Sequence, residues 1–398
     1  MDYQSLLKLS YKDQAEYKNT YGARFNNECA TVIDFDIGEN KAFYLNNQEI
    51  LLLITKIMAV DKELSEKAKQ LPDIALERFT KQALVDEIKQ TNDIENVYST
   101  RKEIKETFKR IERGEEKGRF NGLVGKYYKF QKGEQISLES CEDIRKLYDE
   151  IVLPEVVEED KDNAPDGLIF RKEPVNIHTS TGKIIHSGMY PEGKIINAMT
   201  NALKILNDGS INYLIAAAVF HYLFAYIHPF YDGNGRCDRF ISSYVISQNL
   251  NHLVAYKFSY IIKKHQPQYY KMFSDTNDMR NKGDLTPFII QFLEFILEVE
   301  KELVEDTENK ILDLNFYSKK LENFNLSKTA KHIANVLLQN SLFDDEGLSV
   351  KQICDIEHKA YNTVAKELLS LDEFHIIKHM QVGNKKVFDI DLNRLIRE

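Results

Sequence analysis

The chain reads as a mainly α protein, a helical core carrying a small β-hairpin and followed by a compact α+β unit at its C-terminal end. Three observations predict this. Apolar residues recur at helical spacing from Gln48 onward, as in EILLLITKIMAVDKELSEKAKQL. The segment INYLIAAAVFHYLFAYI is apolar on every face, which is the signature of a buried core helix. The last seventy or so residues order as three short helices and then a hairpin.

Residues 1 to about 50 are weakly patterned, and ATVIDFDI and KAFYLNN are candidate short strands within them. A helix starts at Gln48 and a second near Asp73, with Leu84, Val85 and Ile88 at helical spacing; Ile104, Phe108 and Ile111 continue the pattern. SLESCEDIRKLYDEIV has the serines and first-turn acids of a capping box. Two β-like runs in VNIHTSTGKIIHSGMYP flank Thr179–Gly182 and read as a hairpin. The apolar helix ends at His228 because Pro229 disfavours further helix, and a new helix begins near Asn234. Residues 257–304 give two more helices, 305–326 a polar connecting helix, and HIIKHM and KKVFDI flank Gln381–Asn384 as the final hairpin.

Composition narrows the function classes. With 398 residues and 43% hydrophobic residues, the chain can build a sizeable core over two or three domains. A net charge of −9 gives no electrostatic reason for general binding to nucleic acid or anionic membrane. Cys29, Cys141, Cys237 and Cys354 form no C-x-x-C pair, which disfavours a disulfide framework or zinc ribbon and fits a reducing cytoplasm. The polar N-terminus lacks a signal-peptide core, and Ile211–Ile227 is interrupted and too short for a membrane span, so no membrane partner is expected.

The chemistry concentrates in His228-Pro229-Phe230-Tyr231-Asp232-Gly233-Asn234-Gly235-Arg236-Cys237-Asp238-Arg239. Gly233 and Gly235 let a backbone approach a ligand closely, and N–H groups at a helix N-terminus attract anions. Arg236 and Arg239 are three apart, so both are candidates to reach a phosphate chain. Asp232 offers a hard oxygen suited to Mg²⁺ shared with phosphates, and His228 can act as a general base. A His/His/Asp metal site using His221 lacks a third obvious ligand.

This segment resembles the Fic signature, H-x-F-x-[D/E]-G-N-G-R-x-x-R, at every defined position. The resemblance implies a Fic fold, with the hairpin as its flap, and transfer of AMP from ATP with Mg²⁺ onto the hydroxyl of a protein substrate. His228 would deprotonate that hydroxyl, Phe230 anchor the loop and Asp232 hold the metal. Gly233, Asn234 and Gly235 would cradle the α- and β-phosphates with help from Arg236, and Arg239 would bind the γ-phosphate. The kinase branch of the family carries Lys in place of Gly235, so Gly favours AMP transfer.

Upstream, Thr91-Asn92-Asp93-Ile94-Glu95-Asn96 fits the family's inhibitory motif, [S/T]-x-x-x-E-[G/N], in which Glu95 would compete for Arg239. Val175, Ile177, Ile184 and Ile185 are the flap positions that would dock the target. The resemblance divides the chain into an N-terminal region 1–125 with the inhibitory helix near 85–110, a catalytic core 126–305, a connecting helix 306–326 and a winged helix 327–398. In the last unit Asp344, Asp345, Glu346, Asp355 and Glu357 match the basic residues, so protein contact or a homodimer is favoured over DNA. Self-modification is expected. The alternatives are removal of AMP at the same site, and a DNA-binding regulator that senses nucleotide.

Overall fold

The computed structural model describes all residues except 1–2, 116–117, 179–183, 345, 383–384 and 397–398. Along the chain come α1 (Leu6–Lys12), α2 (Gln14–Phe25), β1 (Ala30–Ile37), β2 (Asn40–Leu45), α3 (Gln48–Ala68), α4 (Asp73–Ile94), α5 (Arg101–Glu112), α6 (Asn121–Gln131), α7 (Cys141–Ile151) and α8 (Leu153–Glu159). Next are β3 (Asn176–His178), β4 (Ile184–Ser187), α9 (Glu192–Leu206), α10 (Tyr213–Ile227), α11 (Asn234–Ser247), α12 (His252–Ala255), α13 (Phe258–Lys264), α14 (Gln266–Asn277) and α15 (Thr286–Glu322). Last are α16 (Lys328–Phe343), β5 (Leu348–Ser349), α17 (Val350–Glu357), α18 (Tyr361–Glu373), β6 (Ile377–Val382), β7 (Lys385–Ile390) and α19 (Leu392–Ile396).

The mainly helical expectation holds. The chain divides into two compact units, residues 1–61 with 84–300, and residues 62–83 with 301–398, and the division falls within α3, α4 and α15. The second unit is wider in sequence than the 327–398 expected. Thr286–Glu322 is one 37-residue helix, so the expected core helix and connecting helix are continuous. Two short helices precede β1, and three lie between His252 and Asn277, more than the pattern predicted.

In the first unit, α10 is buried almost all round and packs between α9 and α11. This is how a helix without a polar face must be placed. The candidate strands ATVIDFDI and KAFYLNN form β1 and β2, which pair antiparallel, and β2 is tied to the start of α15: Phe43 N donates to Gly283 O at 3.0 Å and Leu285 N to Phe43 O at 2.8 Å. Ser140 caps α7 with Asp143 in a reciprocal capping box, settling which serine starts that helix.

From α16 onward the second unit runs helix, strand, helix, helix, strand, strand, helix, with its antiparallel sheet in the order β5-β7-β6. Its core gathers Leu321, Ile333, Leu337, Ile353, Leu368 and Ile390, and Ile74 of α4 packs against it. Of the expected turn Gln381–Asn384, Gln381 and Val382 belong to β6, and residues 383–384 lie outside the described residues. No helix among those described is long and apolar enough to cross a membrane.

Candidate active site

The site is built where α10 stops. Pro229 has no N–H and crowds the preceding residue out of the right-handed helix. His228 accordingly turns left-handed, with φ 53° and ψ 63°, and its N–H closes the helix on Phe224 O at 2.9 Å. Its imidazole is half-buried, and burial holds its pKa down at about 4, helped by His186 and Arg171 and opposed by Glu95. The ring is therefore neutral at physiological pH, as a general base must be.

The loop after His228 is clamped from inside. Phe230 is fully buried and stacks on Tyr148 at 3.6 Å, with Phe170 edge-on at 5.5 Å. The Asn234 amide spans the loop, accepting from Phe230 N and donating to Phe230 O, both at 2.9 Å. Its side chain is thus occupied, which leaves only its backbone for a phosphate. Gly233 sits at φ 75°, and a Cβ there would lie 2.2 Å from Val152 Cγ1, so only glycine fits. As the residue before α11 it supplies no side-chain cap, leaving the first N–H groups of that helix without intrahelical partners. Asp232 is half-buried beside them; its Oδ1 accepts from Gly233 N at 2.5 Å, and its carbonyl accepts from Tyr148 Oη at 3.1 Å.

The two arginines part company. Arg239, 1% exposed, turns toward α4: its Nη2 lies 2.8 Å from Glu95 Oε1, and its Nε donates to Thr91 Oγ1 at 2.8 Å. Burial works against its charge, but Glu95 together with Tyr269 and Tyr270 outweighs that and the net shift is upward. Glu95 Oε1 also lies over the start of α11, 2.0 Å from where a Gly235 Cβ would be. A carboxylate therefore rests on the anion-attracting end of that helix. Arg236 instead makes a buried pair with Glu155 of α8 at 2.8 Å, and burial pushes Glu155 up to about 7 despite that partner. The structure thus brings His228, Asp232, Gly233, Gly235, Arg239, Thr91 and Glu95 together and holds Arg236 apart. α4 ends at Ile94, so Glu95 sits in the closing turn rather than inside the helix.

Sequence reading missed three contributors. Glu87, one turn before Thr91, is fully buried and accepts from Ser259 N and Oγ at 2.7 and 2.6 Å; burial raises it to about 7, opposed by those bonds and by Arg239. Its i−4 spacing from Thr91 was the available signal. Glu155 gave no signal. Arg171 gave none either, yet it is fully buried and bonds the main chain of His228.

His221 is a core residue, 2.9 Å from Ser242 Oγ, 3.1 Å from Asp238 Oδ1 and 2.8 Å from Tyr269 Oη. No group of three potential ligands suited to a metal ion occurs among the described residues.

β3 and β4 form the expected hairpin. Ile177 pairs with His186 and His178 with Ile184, and Gly188 N donates to Val175 O at 2.9 Å. Thr179–Gly182 and the side chains of Ile184 and Ile185 lie outside the described residues.

Residues 138–246, which include His228–Arg239 but not Thr91 or Glu95, match the model of the Fic/DOC family. The chain carries a Fic/DOC domain, a class generally linked to transfer of AMP or other nucleotide groups onto proteins. Among solved structures, a Fic family protein from Desulfovibrio desulfuricans G20 is similar at TM-score 0.53 and 17% identity, over 88% of this chain and 98% of that one. That likeness shows a common fold. A Fic domain containing signaling protein from Bacteroides thetaiotaomicron aligns at TM-score 0.42 and 18% identity over 66% of this chain and 97% of its own. Fic-1 from C. elegans aligns at 0.42 and 17% over 65% and 72%.

Proposed function

We propose that this chain transfers AMP from ATP to a hydroxyl of a protein and restrains itself through Glu95. The observation that carries the reading is the Glu95–Arg239 contact: a carboxylate is seated on the helix N-terminus and on the buried guanidinium that the phosphate chain needs. In the active state the triphosphate lies along the start of α11, held by backbone N–H groups from Asn234 onward, with Arg239 on the γ-phosphate. The neutral His228 imidazole takes the proton of the target hydroxyl. The hydroxyl oxygen then bonds to the α-phosphorus as its bond to the β-phosphate bridge breaks, and pyrophosphate leaves.

Asp232 fits a Mg²⁺ role. It is one part-exposed carboxylate beside the anion end of α11, and Mg²⁺ is commonly bound through one or two carboxylates, substrate phosphates and water. When bound, Mg²⁺ would offset phosphate charge there. Arg236, locked on Glu155, supports the loop from below in this reading rather than touching phosphate. Thr91 fixes the Arg239 fork. The β3–β4 hairpin, with Val175, Ile177, Ile184 and Ile185, docks an extended target segment by strand-like pairing. The C-terminal unit is a winged helix that serves protein contact.

The test is incubation of wild type and Glu95→Gly with α-labelled ATP and Mg²⁺, followed by a gel. Label should appear on protein, more strongly in the variant. Absence of label in both, with nucleotide still bound, rejects AMP transfer.

A further inference from the structure

We propose that Arg171 is a positioning residue, which fixes the β3–β4 hairpin in register with His228. The proposal rests on the AMP-transfer reading above. The Arg171 side chain is wholly buried, and its guanidinium donates to three main-chain carbonyls: Nη1 to Glu173 O at 2.6 Å, Nη2 to Met189 O at 2.8 Å and Nε to His228 O at 2.9 Å. Glu173 leads into β3, Met189 follows β4, and His228 begins the catalytic loop. One planar fork therefore joins both feet of the hairpin to the residue that would take the proton.

The surroundings tighten the same joint. Arg171 N donates to Pro229 O at 3.3 Å, and Met189 N to Ile227 O at 3.0 Å. Gly188 lets the two strata meet: a Cβ there would lie 2.5 Å from Arg171 Nη2 and 3.0 Å from His228 Cβ. Burying a cation against carbonyl dipoles is expensive, and burial opposes the Arg171 charge here. Chain closure alone would not demand it. A planar five-donor fork holds three separate segments in one fixed geometry, whereas an ammonium's three donors rotate freely and an amide has two. The consequence is mechanical. A target strand paired to the hairpin presents its hydroxyl at a distance from His228 that the fork sets, so the residue acts on the reaction without touching substrate.

The experiment uses the full chain carrying Glu95→Gly, with self-modification from α-labelled ATP as the probe. Arg171→Met, Arg171→Lys and Gly188→Ala are added to it singly, with thermal melts for each. Arg171→Met and Gly188→Ala should lower kcat about 10²-fold, as an ångström of misplacement does, with the KM for ATP unchanged. Arg171→Lys should fall between them and the parent. A folded Arg171→Met that transfers at the parent rate overturns the proposal, and so does a set of variants that raise the ATP KM and spare kcat. If Arg171→Met does not fold, Arg171→Lys and Gly188→Ala decide by the same criterion. A Glu95→Gly parent that transfers nothing, or transfers equally well with His228→Ala, refutes the AMP-transfer reading itself and this proposal with it.

Discussion

Replacing Glu95 by glycine should convert a restrained site into an open one, and the structure sets the scale. The contact is a single charge-assisted bond of 2.8 Å between a guanidinium 1% exposed and a carboxylate whose side chain is 33% exposed. A hydrogen bond to a charged group contributes about 1.5–3 kcal/mol. Partial exposure of Glu95 favours the lower end, and about 1.4 kcal/mol is tenfold in affinity. AMP transfer and ATP affinity should therefore rise at least about tenfold, with relief of repulsion toward the γ-phosphate adding to this. The same change leaves Arg239 buried with Thr91 Oγ1 and Thr91 O as its acceptors among the described residues, at 2.8 and 3.1 Å. Without nucleotide the variant should melt lower than wild type, and ATP should raise its melting temperature by more than it raises wild type's. Isothermal titration with a non-hydrolysable ATP analogue, melting curves and the labelled transfer assay read the three effects separately. Arg239→Ala should not activate, and the double variant should behave like Arg239→Ala. A folded Glu95→Gly with wild-type ATP affinity and wild-type transfer would refute the competition for Arg239. Loss of AMP removal from a modified partner would instead make Glu95 a participant in that reverse chemistry.

Other consequences follow from the same geometry. His228→Ala should abolish transfer, by about 10²–10⁴-fold, while nucleotide binding by calorimetry persists. Because burial holds His228 at about 4, kcat/KM in the Glu95→Gly background should show no acid limb near 6.5 and should fall only as pH drops toward 4. That depressed value also favours the folded state above pH 6.5 and loses the contribution as pH falls from 6.5 through 4, since the unfolded imidazole binds the proton first. Asp232→Ala should lose Mg²⁺-dependent transfer in a metal titration; unchanged dependence would assign the ion to another carboxylate. Glu155→Ala leaves the Arg236 guanidinium buried without its carboxylate, so urea unfolding should register a loss of about 3–5 kcal/mol. A loss under about 1 kcal/mol would show that water reaches that pair.

Much of the site was legible because its parts are contiguous. His228 through Arg239 lie in one stretch, and Pro229 by itself dictates that the helix stops where an anion loop begins. Glycines at 233 and 235 announce positions where a side chain cannot be placed, and the structure supplies the obstacles, Val152 at one and Glu95 at the other. The apolar run of α10 likewise fixes its own burial. Local pattern also foresaw the short strands β1 and β2 and the hairpin of β3 and β4.

What local pattern could not decide is which partner each charge would find. Arg236 and Arg239 are equivalent by spacing, yet one pairs with Glu155 on α8 and the other with Glu95 beyond α4, because different helices pack on the two sides of α11. Arg171, 57 residues before His228, is an ordinary basic residue until the chain folds three carbonyls around it. Sequence spacing determines which residues share a helix face; only long-range packing determines what that face meets, and the electrostatics of this site depend on the second.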